Sequence, residues 1–445
     1  MTKPTTSTWR LTLQRLQRSL RWLRPGLGIK RWIGLILMGT TLMGVGLAML
    51  LLHFYRIAPD AWWLPLVSAA SLRPLPRLLR VLVFAALGLF ILLGGIIGLN
   101  RALLIPFWKP GRDMVETIEA HRRRESGPRI VAIGGGHGLS TLLRGLKAYS
   151  HRITAVVTVA DDGGSSGRLR RNLGILPPGD IRNCLAALSN DEAMLAQLFQ
   201  YRFANGGGEL DGHSFGNLFI TALAEITGSF EEAIAESGRV LAVHGRVLPA
   251  TLHDVRLVAE IQPPNSTQIV RVEGESRIPR FGGRIQRLWL EPTDPPVFPK
   301  VVRALLSADV IVVGPGSLYT SILPNLLVPD LTAAIRASRA LKIFICNVAT
   351  QPGETDGYDC FDHLRVLEEH VGSGLFELVI ANNCTEGELP EGVHWVTLSD
   401  ESVFDVPVYQ NNLISPEEPW HHDADKLAAV VMALYQARTG PLAAD

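Results

Sequence analysis

Three turns that lead into helices crowd between Ile130 and Asn183, two of them fed directly by an apolar strand, and that density constrains the fold more than any other feature of the chain. The stretch IVAIGGGHGLSTLLRGL reads as an apolar run, a glycine-rich turn and a helix. ITAVVTVADDGGSSGRLR repeats the plan with an apolar run that ends in paired aspartates, and PPGDIRNCLAAL opens a further helix. Short, continuous apolar runs are the mark of parallel strands covered on both faces. A strand feeding a glycine-rich loop at a helix N-terminus turns backbone N–H groups and the positive end of the helix dipole toward phosphate. The expectation is a nucleotide or phosphosugar cleft in an α/β domain.

Later runs continue the alternation. Val310–Val313, Lys342–Cys346 and Leu378–Ala381 read as strands, and Leu139–Ala148, Ile181–Leu188, Asn217–Ile226, Pro299–Leu306 and Ala424–Ala437 as helices. Between residues 240 and 292 the apolar positions alternate in twos with Gly and Pro punctuation, as in a small antiparallel insertion. The predicted fold is a Rossmann-like three-layer α/β domain over residues 129–445, with a mostly parallel sheet and that antiparallel insertion, preceded by two transmembrane helices.

The membrane expectation comes from composition. Of the 445 residues 47% are hydrophobic, and the surplus is local: residues 33–52 and 81–99 carry no charge, each about long enough to cross a hydrocarbon core. A cleavable signal peptide explains the first run poorly, because its basic lead-in is long and a second apolar run follows soon after. Arginine and lysine are dense before the first run and after the second, while the loop between holds few, along with Trp62 and Trp63. The positive-inside bias then places both ends in the cytoplasm. The predicted organisation is a basic lead-in over 1–32, a helical hairpin over 33–99 and a connector over 100–128. The protein is expected in the cytoplasmic membrane as a multi-pass chain with its domain facing the cytoplasm. A formal net charge of +1 argues against nucleic acid as a partner, and the juxtamembrane cations suit anionic lipid. The four cysteines lack CxxC spacing and read as reduced structural thiols.

Candidate ligand-binding residues follow from the turns. Gly134, Gly135, Gly136, His137, Gly138 and Leu139 match neither the dinucleotide fingerprint nor the P-loop ending, but four glycines at one junction favour close approach of a phosphate. Asp161 and Asp162 stand at a strand end, where carboxylates hold either a sugar hydroxyl or Mg²⁺. Ser165, Ser166 and Gly167 complete that turn. Asp180 reads as a helix N-cap, with Arg182 and Asn183 in the first turn able to face the same cleft. His213 is either a general acid–base group or a packed histidine, and Asn217 opens a helix. Gly314, Ser317 and Asn347 lie in polar loops after later strands. In an open parallel sheet all loops after the carboxyl ends share one rim, so these residues are expected to converge.

The longer motifs GGGHGLSTLLRGLK, TAVVTVADDGGSSGRLR, PPGDIRN, GHSFGN, GPGSLYTSILPNLLVP and ICNVATQPGETDGY closely resemble the YvcK-type gluconeogenesis factors, of the 2-phospho-L-lactate transferase (CofD) superfamily. The resemblance covers residues 129–383. It implies a domain that binds UDP-sugars such as UDP-N-acetylglucosamine, and a role in cell shape and envelope precursor supply under gluconeogenic growth. It implies a regulator rather than a known enzyme; the alternative is a CofD-like metal-dependent phosphotransferase using a nucleotide-activated phospho-acid, with Mg²⁺ on Asp161 and Asp162. Assembly as a homo-oligomer stays open. Two departures stand out: His137 replaces the Thr usual in the family, and the compact members lack the hairpin.

Overall fold

The computed structural model describes residues 124–189, 193–203, 208, 210–398 and 405–439, with residues 38, 40–44, 47, 48, 76, 78, 79, 82, 83, 86–90 and 92–94 of the amino-terminal part. The chain divides into two units, Met1–Arg122 and Arg123–Asp445.

In the second unit β1 (Ile130–Gly134), α1 (Gly136–Leu146) and β2 (Ile153–Val157) come first, followed by α2 (Gly164–Leu173), α3 (Gly179–Leu188), α4 (Ala193–Gln200), α5 (Phe215–Thr227) and α6 (Phe230–Val240). Next are β3 (Arg246–Pro249), β4 (Arg256–Gln262), β5 (Val270–Glu273), α7 (Ile278–Phe281) and β6 (Arg284–Glu291). Then α8 (Pro299–Ser307), β7 (Val310–Val313), a π-helical turn (Leu318–Ile322), α9 (Leu323–Leu326) and α10 (Pro329–Ala337). The chain closes with β8 (Leu341–Ile345), α11 (Cys360–Val371), β9 (Leu378–Asn382), β10 (Val408–Asn411) and α12 (Ala424–Thr439).

Seven strands form one sheet in the order β10-β9-β8-β7-β1-β2-β3, with every pairing parallel. Alternation along the strands gives each face its own core. Ile130, Ala132, Ile153 and Val312 pack with Leu139, Leu142, Leu143 and Leu146 of α1 and with Leu427 and Val431 of α12. Val131, Ile133, Ile311 and Val313 pack on the other face with α8, α10 and α11. That second layer also contains the antiparallel sheet β5-β4-β6, through Leu257, Ala259, Ile261, Leu288 and Leu290. The α/β expectation, with a mostly parallel sheet and a small antiparallel one, therefore holds.

Three readings need correction. Of the 240–292 region, Arg246–Pro249 is not part of the insertion: it pairs parallel with β2 as the edge of the main sheet. The turn after Asp162 is already helical from Gly164. Asp180 is not an N-cap: Pro178 holds that position, and the Asp180 carboxylate reaches another loop instead.

The expected hairpin over 33–99 falls largely outside the described residues. In the two apolar runs those that are described are helical, and Met43, Leu42, Leu82 and Phe90 are exposed. Among the described residues no single helix is long and apolar enough to cross a membrane. One bent pair, Leu318–Leu326 with Pro329–Ala337, has the composition but is buried in the core of the second unit.

Candidate functional site

The strand order reverses direction beside β1. From β1 the chain moves to β2 and β3 on one side, and the later strands build outward from β7 on the other. Open α/β sheets bind ligands in the crevice beyond the carboxyl ends of the strands at such a switch point. A cavity of about 320 Å³ lies there. Its walls come from the β1–α1 turn (Gly135–Gly138), the loop after β7 (Pro315–Ser317), the loop after β8 (Asn347–Pro352) and Trp420–His422.

The glycine-rich turn is shaped by contacts on both sides. Gly136 has φ +61°, where an L side chain is strained. A Cβ on Gly138 would stand 2.5 Å from the Pro315 carbonyl oxygen, so only glycine lets the two loops lie this close. Behind the turn, the Gly136 N–H donates to Asp180 Oδ2 at 2.8 Å. The loop after β7 is held in turn by Asn347, whose Oδ1 accepts from Gly316 N at 3.1 Å and whose Nδ2 donates to Gly316 O at 2.8 Å. Gln351 donates through Nε2 to Ser317 Oγ at 2.7 Å. The Gly314–Pro315 peptide is cis.

Three histidines edge the cavity. The His137 and His421 rings lie 5.0 Å apart, and burial, then His421, lowers the His137 pKa. His421 pairs with Glu418 at 2.8 Å and lies against Trp420. His422 is buried and donates from Nε2 to the Cys346 carbonyl at 3.2 Å, with burial lowering its pKa to about 4. Its neutral ring is a fixed wall. Trp420 lines the same cavity as the glycine-rich turn, so an aromatic side chain and a phosphate-type turn share one opening.

The candidate residues therefore separate into two groups. Gly135, Gly136, His137, Gly138, Ser317 and Asn347 line the cavity. Gly134 ends β1 with its carbonyl accepting from Asn325, Gly314 lies behind Pro315, and the Leu139 side chain is wholly in the core. The others form an adjoining cluster. Ser165 Oγ meets His213 Nδ1 at 3.0 Å and accepts from Asn217 Nδ2 at 3.1 Å, while Asn217 also reaches Ser166. These four side chains are buried, so His213 is a packed group rather than an accessible acid or base. A Cβ on Gly167 would fall 1.8 Å from the Asp162 carbonyl oxygen, which makes glycine obligatory in this turn. Arg182 is 5% exposed, donates from Nη2 to Asn183 Oδ1 at 2.8 Å, and has its pKa lowered to about 10, first by burial and then by Arg202.

The paired aspartates both engage the loop after β5. Asp162 Oδ1 accepts from Ser276 N at 2.9 Å and so holds the loop after β5. Asp161 Oδ1 accepts from Gly163 N at 2.8 Å, and its carboxyl shares a hydrogen bond with Glu275. Burial, with Asp161 and Asp180 nearby, raises the Glu275 pKa well above the usual carboxylate range, so Glu275 carries the shared proton. Burial and then Asp161 push Asp180 up to about 6. The Mg²⁺ expectation for Asp161 and Asp162 thus meets two carboxylates engaged elsewhere, and among the described residues no group of His, Cys, Asp or Glu is arranged to hold a metal ion. Nor do the neighbouring arginines reach toward a ligand: Arg168, Arg170 and Arg171 donate to the carbonyls of Asp211, Val255 and Asp162.

Sequence reasoning missed Trp420, His421 and His422. The signal was the Trp-His-His run itself, but it lies far from the glycine-rich motifs and follows no recognisable apolar strand.

Fold and cavity together define an α/β protein with a phosphate-type turn at its sheet switch point. Residues 130–439 match the family described as 2-phospho-L-lactate transferase CofD, and the chain belongs to that family, in its gluconeogenesis-factor branch. A gluconeogenesis-factor homologue of Nostoc sp. is 45% identical over 443 residues, covering 95% of this chain and 94% of its own. The gluconeogenesis factor of Bacillus subtilis is 51% identical over 256 residues, covering 58% of this chain and 79% of its own. Among solved structures, a UPF0052-family protein of Bacillus halodurans superposes with a TM-score of 0.64 at 43% identity, covering 69% of this chain and 99% of its own.

Proposed function

We propose that this protein is a UDP-sugar-binding regulator, acting in cell shape and envelope precursor supply under gluconeogenic growth. The observation that carries the reading is the cavity at the switch point between β1 and β7, with the glycine-rich turn on one wall and Trp420 on another. In this reading the diphosphate rests on the N–H groups of His137 and Gly138 at the start of α1, where the helix dipole favours negative charge. Trp420 stacks on the uracil ring, and Ser317 and Gln351 reach the sugar hydroxyls. Asp180 keeps the turn in place from behind. Ligand binding closes the loops after β7 and β8 on one another and shifts an equilibrium that a partner reads.

Kinship with a transferase supports a second reading, in which a nucleotide-activated phospho-acid is consumed. One experiment separates them. The full chain, purified without added nucleotide, is weighed by native mass spectrometry and then incubated with UDP-N-acetylglucosamine. Recovery of a UDP-sugar adduct whose ligand is unchanged after hours supports the regulator. An adduct of another mass class, or metal-dependent turnover, sinks it.

The amino-terminal unit is part of the same proposal. The uncharged runs with exposed Leu, Met and Phe side chains are suited to lipid, and the Nostoc homologue's alignment is long enough to extend into them. They tether the domain to the cytoplasmic face of the membrane. A single cysteine introduced at position 62 should react with an impermeant thiol reagent added to intact cells, and one at 115 should not. The reverse pattern removes the tether topology.

A further inference from the structure

At the opposite end of the strands lies a larger cavity of about 870 Å³, bounded by the starts of β1, β2 and β3 and by α6 and α8. We propose that this amino-rim cavity is a second ligand site, for a small anion carrying two or more phosphate groups.

The argument is one of charge in a concave place. Six cations face the cavity: Arg129, Arg152, Arg239, Arg246, Lys300 and Arg303, against one lining carboxylate, Glu231. Three of the six are spoken for. Arg129 pairs with Asp309 at 2.6 Å, Arg239 with Glu236, and Lys300 with Glu231. Among the described residues Arg152, Arg246 and Arg303 have no carboxylate at ion-pair distance, although Asp309 lies near enough to Arg152 to feel its charge, so three arginines line the cavity without a direct ion pair. The wall behind them is apolar, from Ile130, Ile153, Leu185, Ile234 and Val247. A low-dielectric wall lined by one sign of charge focuses potential into the opening. Guanidinium groups match phosphate with two parallel hydrogen bonds each.

Size and charge select the ligand class. A volume of 870 Å³ falls within the range of small-molecule sites. Three unpaired cations call for several negative charges on one compact molecule. An extended nucleic acid needs a long basic stripe, whereas these cations line one closed depression. The site is independent of the UDP-sugar reading: β1 has five residues, so its two ends stand roughly 15 Å apart and no residue is shared between the two cavities.

Inorganic tripolyphosphate is the probe, titrated calorimetrically into the full chain in detergent, with and without saturating UDP-N-acetylglucosamine. Two variants read different properties. Arg152→Gln/Arg246→Gln/Arg303→Gln removes the charge from exposed positions. Gly238→Leu keeps every charge and fills space: a Cβ there meets only Leu185 at 3.7 Å and Val243 at 3.8 Å, ordinary contacts with cavity-lining side chains. Ala304→Leu, from the α8 wall, replaces it if that helix does not tolerate the change. One equivalent of probe should bind the wild type in the presence of UDP-N-acetylglucosamine, with affinity at least tenfold weaker in the charge variant and in the filled variant. Undiminished affinity in the charge variant overturns the proposal. So does loss in the charge variant with full retention in a folded, filled variant, because the attraction would then belong to the surface and not to the cavity. Failure of UDP-N-acetylglucosamine to bind would strike the reading of the other rim and leave this titration standing.

Discussion

The two halves of the carboxyl rim begin from similar sequence and end as different objects. Around Gly135–Gly138 a strand, a glycine-rich turn and a helix open onto a cavity, with the third wall supplied by Trp420–His422 from the far end of the chain. Around Asp161–Gly167 the same succession closes on itself: Asp162 holds Ser276, Ser165 holds His213 and Asn217, and Asp161 is hydrogen-bonded to Glu275. The lesson is that a glycine-rich turn specifies close approach and leaves the approaching group undefined. At Gly138 the loop after β7 fills only one side, so the other stays open. At Gly167 the neighbour is the turn's own Asp162 carbonyl.

Two buried groups along the rim should respond oppositely to pH. His422 supplies the largest expected effect, on the cavity side. Its folded pKa of about 4 lies below the ordinary 6.5, so the unfolded chain binds the extra proton between those values. Stability is therefore fully present above pH 6.5 and is lost as pH falls toward 4, by about 3 kcal/mol at most. His422→Gln keeps an N–H donor for the Cys346 carbonyl and removes the titration. Denaturant melts from pH 7 to 4 should show a flatter acid limb for that variant; an unchanged limb means that the buried ring is not the group involved.

A smaller effect of opposite sign belongs to Asp180, which reaches from α3 to hold the Gly136 turn. Asp180, raised to about 6 from 3.8, is protonated more readily in the folded chain, so its contribution to stability falls as pH rises through that interval. Asp180→Asn still accepts from Gly136 N and carries no charge. At pH 8 it should be more stable than wild type by about 1–2 kcal/mol, a figure reduced because the residue as a whole is only half-buried, and the gap should close below pH 4. A variant less stable at pH 8 would show the carboxylate charge to be needed by the turn.

Much of this was legible in the sequence because local rules decided it. Apolar runs such as Val310–Val313 and the glycine-rich turns placed the strands, the helices and the rim that joins them. What escaped was set by pairing across the chain. Arg246–Pro249 looks like a piece of the antiparallel insertion until β2 is seen beside it. Asp180 looks like a cap until Gly136 comes within hydrogen-bond distance, although 44 residues separate them. The paired aspartates look like one metal-binding unit until the loop after β5, 114 residues further along the chain, brings Glu275 and Ser276 against them. The Trp420–His422 wall had only its Trp-His-His run to mark it, because its role exists only against loops that lie far away in sequence.

The most direct test of the central claim is calorimetric titration of UDP-N-acetylglucosamine into the full chain and two variants, one from each half of the rim. Trp420→Ala removes a cavity wall from a partly exposed site, and His213→Leu breaks the buried contact with Ser165. If the ligand rests at the β1–β7 switch point, Trp420→Ala should weaken binding at least tenfold with little change in melting, while His213→Leu should lower the melting temperature and keep the affinity. Full affinity in Trp420→Ala, with loss in a folded His213→Leu protein, would move the ligand to the other half of the rim and contradict the account.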